Sequence, residues 1–267
     1  MTALDLGISP CPNDTFVFHA LIKGRVRAKG LEFNPFLLDV QELNRLAFKG
    51  RFHISKLSFH AWLKLKDSYE ILDSGAALGR GCGPLVTAKS KDIDLASAKV
   101  AIPGELTTAF LLLKLWRPDI QNVAAVPFDQ ILPGLETGAF DAGLIIHEGR
   151  FVYEDRGFVK IVDLGDWWEK ETGMPIPLGC LAVKKEGAAL SHKKEIEAAI
   201  ARSASYALEN RAASREFIKR RAQEMADDVI DRHIDLYVND FTLSLGEEGK
   251  NAVKTLEEMA RWRNLMS

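Results

Sequence analysis

Short apolar runs of strand length alternate along the chain with segments whose apolar residues recur every three or four positions, the pattern of an α/β protein. The first run, Leu4 to Ile8, is stopped by Ser9-Pro10-Cys11-Pro12, because proline lacks the N–H of a ladder and breaks a helix interior. Asn13, Asp14 or Thr15 then offers a side-chain cap to a helix from about Phe16 to Lys23. A polar loop at the carboxyl end of a strand is where open α/β sheets collect ligands.

One unit occurs twice. A helix ending at Lys49-Gly50-Arg51 leads into the strand-like Phe52 to Ser58, and a helix ending at Thr137-Gly138-Ala139 leads into Phe140 to Ile146. Each glycine falls just past a helix end, where a positive φ costs least without a Cβ. Two such units predict two similar α/β lobes rather than a solenoid, which needs three or more. Between them, Lys99 to Ile102 is a strand, Pro103 to Thr108 a sharp turn and Ala109 to Trp116 an apolar helix. Thr107 or Thr108 there either caps the helix or shares its free N–H groups with an anion. Gly79, Gly81 and Gly83 imitate a phosphate loop, but Pro84-Leu85-Val86 continues as a strand where that motif needs a helix, so a tight turn or hinge is expected. Ile161 to Leu164 and Cys180 to Val183 read as strands. After Ser191 come helices with faces at Ile196, Ile200 and Ala207, at Val229, His233 and Tyr237, and at Val253, Leu256 and Ala260.

Composition narrows the picture. The 267 residues are 47% hydrophobic and 27% charged, enough for one large or two modest folded domains. Net charge is -2, and the like-charge run Lys219-Arg220-Arg221 is too short to call for a nucleic-acid partner. Three cysteines without CxxC spacing fit a reducing cytoplasm, the start of the chain lacks the basic and apolar pattern of an export signal, and no apolar stretch approaches the roughly 18 residues of a membrane span. His53 and His60 have no metal-ligand spacing, and no metal site is expected.

Among candidate functional residues, His147 closes the apolar run Ala142 to Ile146, at a strand's carboxyl end beside Glu148. An imidazole there can serve as a general base or as a hydrogen-bonded structural group. Lys56 and Ser58 end the equivalent strand of the first unit: a cation for a carboxylate or an exposed lysine, and a cap for the helix starting near Phe59. Cys11 is a nucleophile only if a base activates it, and is otherwise an inert loop thiol. Trp167-Trp168 either stacks on a ligand or fills a core.

Several segments together resemble the 1,4-dihydroxy-6-naphthoate synthase family of the futalosine route to menaquinone. They are Ser9 to Phe16, Lys56-Leu57-Ser58, Ala77 to Gly81, Gly104 to Thr108 and Gly143 to Glu148, followed by Asp163 to Glu169, Pro175 to Gly179 and Tyr237-Val238-Asn239. The resemblance covers nearly the whole chain. It implies a periplasmic-binding-protein-like (type II) α/β fold, two lobes that close over a ligand cleft, here expected at residues 1–97 with 184–267, and at 98–183. It also implies a lyase that cleaves cyclic dehypoxanthine futalosine to 1,4-dihydroxy-6-naphthoate and dihydroxyacetone, with no cofactor or metal, a small-molecule carboxylate as substrate, and neither nucleic acid nor membrane as partner. His147 is then the proton acceptor, and Lys56, Leu57, Ser58, Thr107 and Thr108 line the substrate site. The alternatives are a cytoplasmic small-carboxylate binding or sensor protein of the same fold, and the chorismate dehydratase of the same route, against which the Gly143 to Glu148 segment speaks.

Overall fold

A computed structural model describes residues 1–222 and 226–266. It begins with a βαβαβ unit: β1 (Thr2–Ile8), α1 (Pro12–Ile22), β2 (Leu31–Leu37), α2 (Val40–Phe48) and β3 (Ile54–Ser58). The strands are parallel with β1 in the middle, Leu6 pairing with Pro35 on one side and Ile54 on the other. Pro35 is accommodated because β2 is an edge strand, where a residue without an N–H costs no ladder bond. α3 (Phe59–Lys64), β4 (Tyr69–Ile71) and β5 (Ala77–Gly79) complete this stretch, after which the chain crosses to a second sheet at β6 (Leu85–Ala88).

The unit then recurs as β7 (Val100–Ile102), α4 (Thr108–Trp116), β8 (Val123–Ala125), α5 (Ile131–Glu136) and β9 (Ala142–Ile145). Its strand order, β8-β7-β9, reproduces β2-β1-β3. α6 (Gly149–Val152), β10 (Val159–Asp163) and α7 (Leu164–Thr172) follow, and β11 (Ile176–Lys184) returns to the first sheet. The remaining helices are α8 (Ala188–Ser191), α9 (Lys193–Glu209), α10 (Arg215–Lys219), α11 (Asp227–Tyr237), α12 (Asp240–Leu243) and α13 (Gly246–Trp262). Gly50 and Gly138 follow their helices at φ 62° and 74°, as the repeat requires.

The fourth strand of each sheet is antiparallel and arrives from the other side of a crossing. β6 lies against β9, with Leu85 opposite Ile145, and β11 against β3, with Gly179 opposite Ser58. Sheet membership therefore changes within 80–84 and 164–175, and the boundaries expected at 97/98 and 183/184 do not coincide with it. Residues 85–88 belong with the second sheet, and 176–183 with the first.

Glycine is required where the crossings touch. A Cβ on Gly83 would stand 2.1 Å from the backbone nitrogen of Gly165, and Leu164 N–H donates to the Pro84 carbonyl at 2.9 Å. Arg150 ties the same place together: its guanidinium donates to the Gly81 and Gly83 carbonyls and pairs with Asp163 at 3.0 Å. The glycine-rich stretch is thus a crossing between sheets, with a strand and not a helix after it.

Two helix starts differ from expectation. α1 begins at Pro12 with Cys11 at the cap position and no side-chain cap, since proline at the first helical position forgoes an N–H that has no partner anyway. Asp14, in the first turn, instead reaches back to Ser9 N–H at 3.1 Å. Ser58 does stand at the start of α3, but its side chain makes no cap bond.

One apolar core, with Leu4, Leu6, Phe16, Ile196 and Ile230, lies under α1, α9 and α11. A smaller one, with Ala101, Ile131 and Leu135, serves the second sheet. The largest runs from Leu57 and Tyr69 of the first lobe through Val100 and Leu112 of the second to Leu256 in α13. Trp168 belongs to it, fully buried, its Nε1 donating to the Pro175 carbonyl at 3.1 Å, and half-buried Trp167 packs against it.

Candidate active site

A cleft with about 690 Å³ of open volume is bounded by the starts of α1 and α4, the ends of β3 and β9, and α11. The N-terminus of α4 stands at its wall, and the free N–H groups of a helix N-terminus favour an anion. His147, Lys56, Leu57, Ser58, Thr107 and Thr108 all line it. What each can do there depends on which of its polar atoms are already engaged.

His147 lies two residues beyond β9 at φ 54°, a left-handed conformation that a non-glycine residue holds only where its surroundings enforce it. Its ring meets Phe128 edge-on at 4.8 Å and lies 6.1 Å from the ring of His233, the planes 20° apart. Its Nε2 is 3.7 Å from Cys11 Sγ. Burial pushes the Cys11 thiol well above its ordinary range, and the Glu148 and Asp14 carboxylates reinforce this. Cys11 therefore stays a protonated thiol and a weak donor, not a thiolate nucleophile.

Lys56 is only 6% exposed. Its Nζ donates to Asp14 Oδ1 at 2.7 Å and to the Gly75 carbonyl at 3.0 Å, so its charge is answered within the protein and one N–H direction remains. Ser58 is clasped by Asn44, whose Nδ2 donates to Ser58 Oγ at 3.0 Å while Oδ1 accepts from Ser58 N–H at 2.9 Å. The Ser58 hydroxyl hydrogen is left for a ligand.

Both threonine hydroxyls are occupied. Thr107 Oγ1 accepts from Phe110 N–H at 3.2 Å and donates to the Gly104 carbonyl at 2.7 Å. Thr108 Oγ1 donates to the Leu178 carbonyl at 2.6 Å and accepts from His60 N–H at 3.3 Å. Capping thus takes the side chain of Thr107. The first N–H groups of a helix have no intrahelical acceptor, so what α4 presents to the cleft at Thr108 and Ala109 is backbone.

Other cleft residues were not singled out from the sequence as site residues. Asn13 and Asp14 enter as possible caps and within the Ser9 to Phe16 segment, His233 as part of one helix face, and Tyr237 on that face and in Tyr237-Val238-Asn239. Asn44, which holds Ser58 from behind the cleft wall, is not named at all. His233 is fully buried, and burial, with His147 beside it, holds its pKa well below the ordinary imidazole value. A histidine at i, i+4 spacing between Val229 and Tyr237 carries no local mark that separates it from core. Among the described residues, no group of three or more His, Cys, Asp or Glu side chains is placed to hold a metal ion, and no helix is long and apolar enough to cross a membrane.

Two α/β lobes of matched topology around a cleft define a periplasmic-binding-protein-like fold. The alkanesulfonate-binding protein of Xanthomonas axonopodis pv. citri, solved with MOPS, shares this fold at a TM-score of 0.74 and 11% identity, over 100% of this chain and 95% of that one. A crystal structure of a protein from Archaeoglobus fulgidus is much nearer, with a TM-score of 0.93 and 35% identity over 98% of both chains. Residues 4–261 match the family described as Menaquinone biosynthesis. A Thermus thermophilus protein named 1,4-dihydroxy-6-naphtoate synthase is 46% identical over 99% of this chain and 96% of its own length, and a Streptomyces coelicolor protein of the same name is 41% identical over 95% and 91%. The chain belongs to this family of menaquinone-biosynthesis enzymes.

Proposed function

We propose that the enzyme is a carbon–carbon lyase that converts cyclic dehypoxanthine futalosine to 1,4-dihydroxy-6-naphthoate and dihydroxyacetone, with His147 as the proton acceptor. The observation that carries this reading is the placement of His147 on the cleft wall in an enforced left-handed conformation, in a chain 46% identical to a protein named for that product. His147 takes a proton from the bound substrate. The electron pair so released becomes a carbonyl bond of the sugar-derived fragment as its carbon–carbon bond to the ring breaks in retro-aldol fashion, the electrons of that bond pass to a ring oxygen of the bicyclic system, and His147 returns the proton to that oxygen. Aromatisation of the ring supplies the driving force. The backbone N–H groups at the start of α4 and the Ser58 hydroxyl hold the substrate carboxylate, and fixing reactant against base removes several kcal/mol of barrier. We assign the reaction to the cytoplasm, in keeping with three buried, unpaired cysteines.

The test is to mix purified protein with cyclic dehypoxanthine futalosine, follow 1,4-dihydroxy-6-naphthoate by mass spectrometry, and run His147→Ala beside it with a binding measurement. Product from the wild type, with a rate lowered about 10²- to 10⁴-fold in a variant that still binds, establishes both reaction and base. Binding without product in either protein leaves a receptor. Turnover of chorismate instead points to the dehydratase.

A further inference from the structure

The Lys56 and Asp14 pair belongs to a longer chain of contacts that ends on His233. Asp14 accepts from Lys56 Nζ at 2.7 Å and from Ser9 N–H at 3.1 Å, and its Oδ1 also receives Asn13 Nδ2 at 3.2 Å. A carboxylate only accepts, so the donating end of the Asn13 amide is fixed on the Asp14 side. Asn13 Oδ1 consequently faces His233 Nε2, 3.0 Å away. An amide oxygen also only accepts, and Nε2 must therefore carry the ring proton. A neutral imidazole has a single N–H, which leaves Nδ1 as a bare lone pair.

That Nδ1 is buried and has no partner. The rings of Tyr237 and Phe151 lie tilted beside the imidazole, with centroids 4.7 and 6.3 Å away. His233 nevertheless lines the cleft beside His147. A buried acceptor kept unsatisfied in a native structure calls for an explanation, and a ligand that supplies the missing donor is one. A carboxylate cannot be that group, because two acceptors repel; a hydroxyl can.

We infer that His233 is a substrate-binding residue that accepts a hydrogen bond from a hydroxyl of the sugar-derived part of the substrate, and that the Lys56, Asp14 and Asn13 chain fixes the tautomer this requires. The inference rests on the substrate proposed above. It divides the cleft by polarity: backbone donors of α4 take the anionic end, and the His233 lone pair takes the neutral end. With the rings 6.1 Å apart, a hydroxyl held on His233 sets the fragment that leaves next to His147. Lys56 then acts through Asp14 and Asn13, as a positioning residue.

The experiment uses full-length protein with ¹⁵N-labelled histidine. Long-range proton–nitrogen spectra of the ligand-free protein are expected to show His233 protonated at Nε2 and not at Nδ1. Adding cyclic dehypoxanthine futalosine to His147→Ala, which suppresses turnover, moves the Nδ1 resonance toward that of a hydrogen-bonded nitrogen. His233→Gln, which keeps a donor for Asn13 but moves its acceptor oxygen away from the place of Nδ1, weakens binding about 10- to 100-fold, whereas His233→Asn, which returns an oxygen near that place, binds at least about fivefold tighter than the Gln variant. A proton on Nδ1, an Nδ1 resonance unmoved by saturating compound, or equal binding by wild type and both variants overturns the inference, and the spectra decide it even where a variant does not fold. Conversion of the compound by wild type with an unmoved Nδ1 removes only the role of His233. A wild type that neither binds nor converts it removes the proposed substrate and the hydroxyl assignment together.

Discussion

Lys56 and Asp14 stand 2.7 Å apart with side chains 8% and 2% exposed. Taking two charges out of water is offset by their attraction and by the Gly75 and Ser9 bonds around them, so removing one partner leaves a buried charge at a cost of about 3–5 kcal/mol. Lys56→Met should lower the unfolding free energy by that amount, and adding Asp14→Asn should recover part of it, both read by urea denaturation. A lysine serving only to hold a substrate carboxylate would show weaker binding and unchanged stability. His60 gives a second residue-level expectation. Burial lowers its pKa from 6.5 to about 4, the Lys64 ammonium adds to this, and the bond to the Thr107 carbonyl at 3.3 Å opposes it. In the unfolded chain the ring protonates below about 6.5 while the folded ring stays neutral to about 4, so the unfolded state binds more protons in that window. The His60 contribution to stability is therefore level above pH 6.5 and falls on acidification toward 4, by on the order of 3 kcal/mol. Buried His233 adds in the same direction. His60→Asn, which keeps a donor for Thr107, should flatten the dependence of the urea midpoint between pH 7 and 4.5; a slope equal to wild type would exclude His60 as its source.

At the scale of elements, the crossings carry the tightest backbone constraint near the cleft. A methyl at Gly83 would meet the nitrogen and Cα of Gly165 at 2.1 and 2.3 Å, both main-chain atoms that cannot swing aside. Gly83→Ala should cost about 3 kcal/mol or more, whereas Gly81→Ala, at φ 65° with open space around it, should cost about 1–2 kcal/mol for the left-handed backbone alone. Thermal denaturation of the two variants checks this, and equal losses would mean that the crossing is not the constraint. The same elements show what a sequence exposes and what it hides. The β1–α1 turn, the glycine stops at 50 and 138, and the strand before His147 are written in local residues, because prolines, caps and positive-φ glycines act over a few positions. Leu85 to Ala88 has the same apolar pattern whichever sheet it joins, and nothing local says that it crosses over. Lys56 reads as a free cation because Asp14 is 42 positions away, and His233 reads as core because its contact, Asn13, is 220 positions away. The residues that carry the polar logic of the cleft are therefore those whose meaning is set by distant partners.

For the whole molecule, the fold leads one to expect that the lobes close over a ligand, and closure is limited by what the lobes share. α4 carries Leu111, Leu112 and Leu113, each at most 1% exposed, in a core that also holds Leu57, Tyr69 and Cys180 of the first sheet and Leu256 of α13. On the cleft side, Leu106 N–H donates to Gln41 Oε1 at 3.3 Å and Asn44 Nδ2 to the Leu106 carbonyl at 3.4 Å, so α2 already grips the loop ahead of α4. Lobes joined by a large apolar interface do not move freely, because rotation would shear close-packed side chains past one another. Desolvation of the substrate must then come mostly from the cleft as it stands, with side chains and loops adjusting around a fixed frame. Small-angle scattering tests this directly. A chain of this length has a radius of gyration of about 18 Å, and saturating a His147→Ala variant with cyclic dehypoxanthine futalosine should change it by less than about 0.5 Å. A contraction above about 1 Å would show that the shared core yields, and that the contacts of Gln41 and Asn44 with Leu106 belong to one of two lobe arrangements.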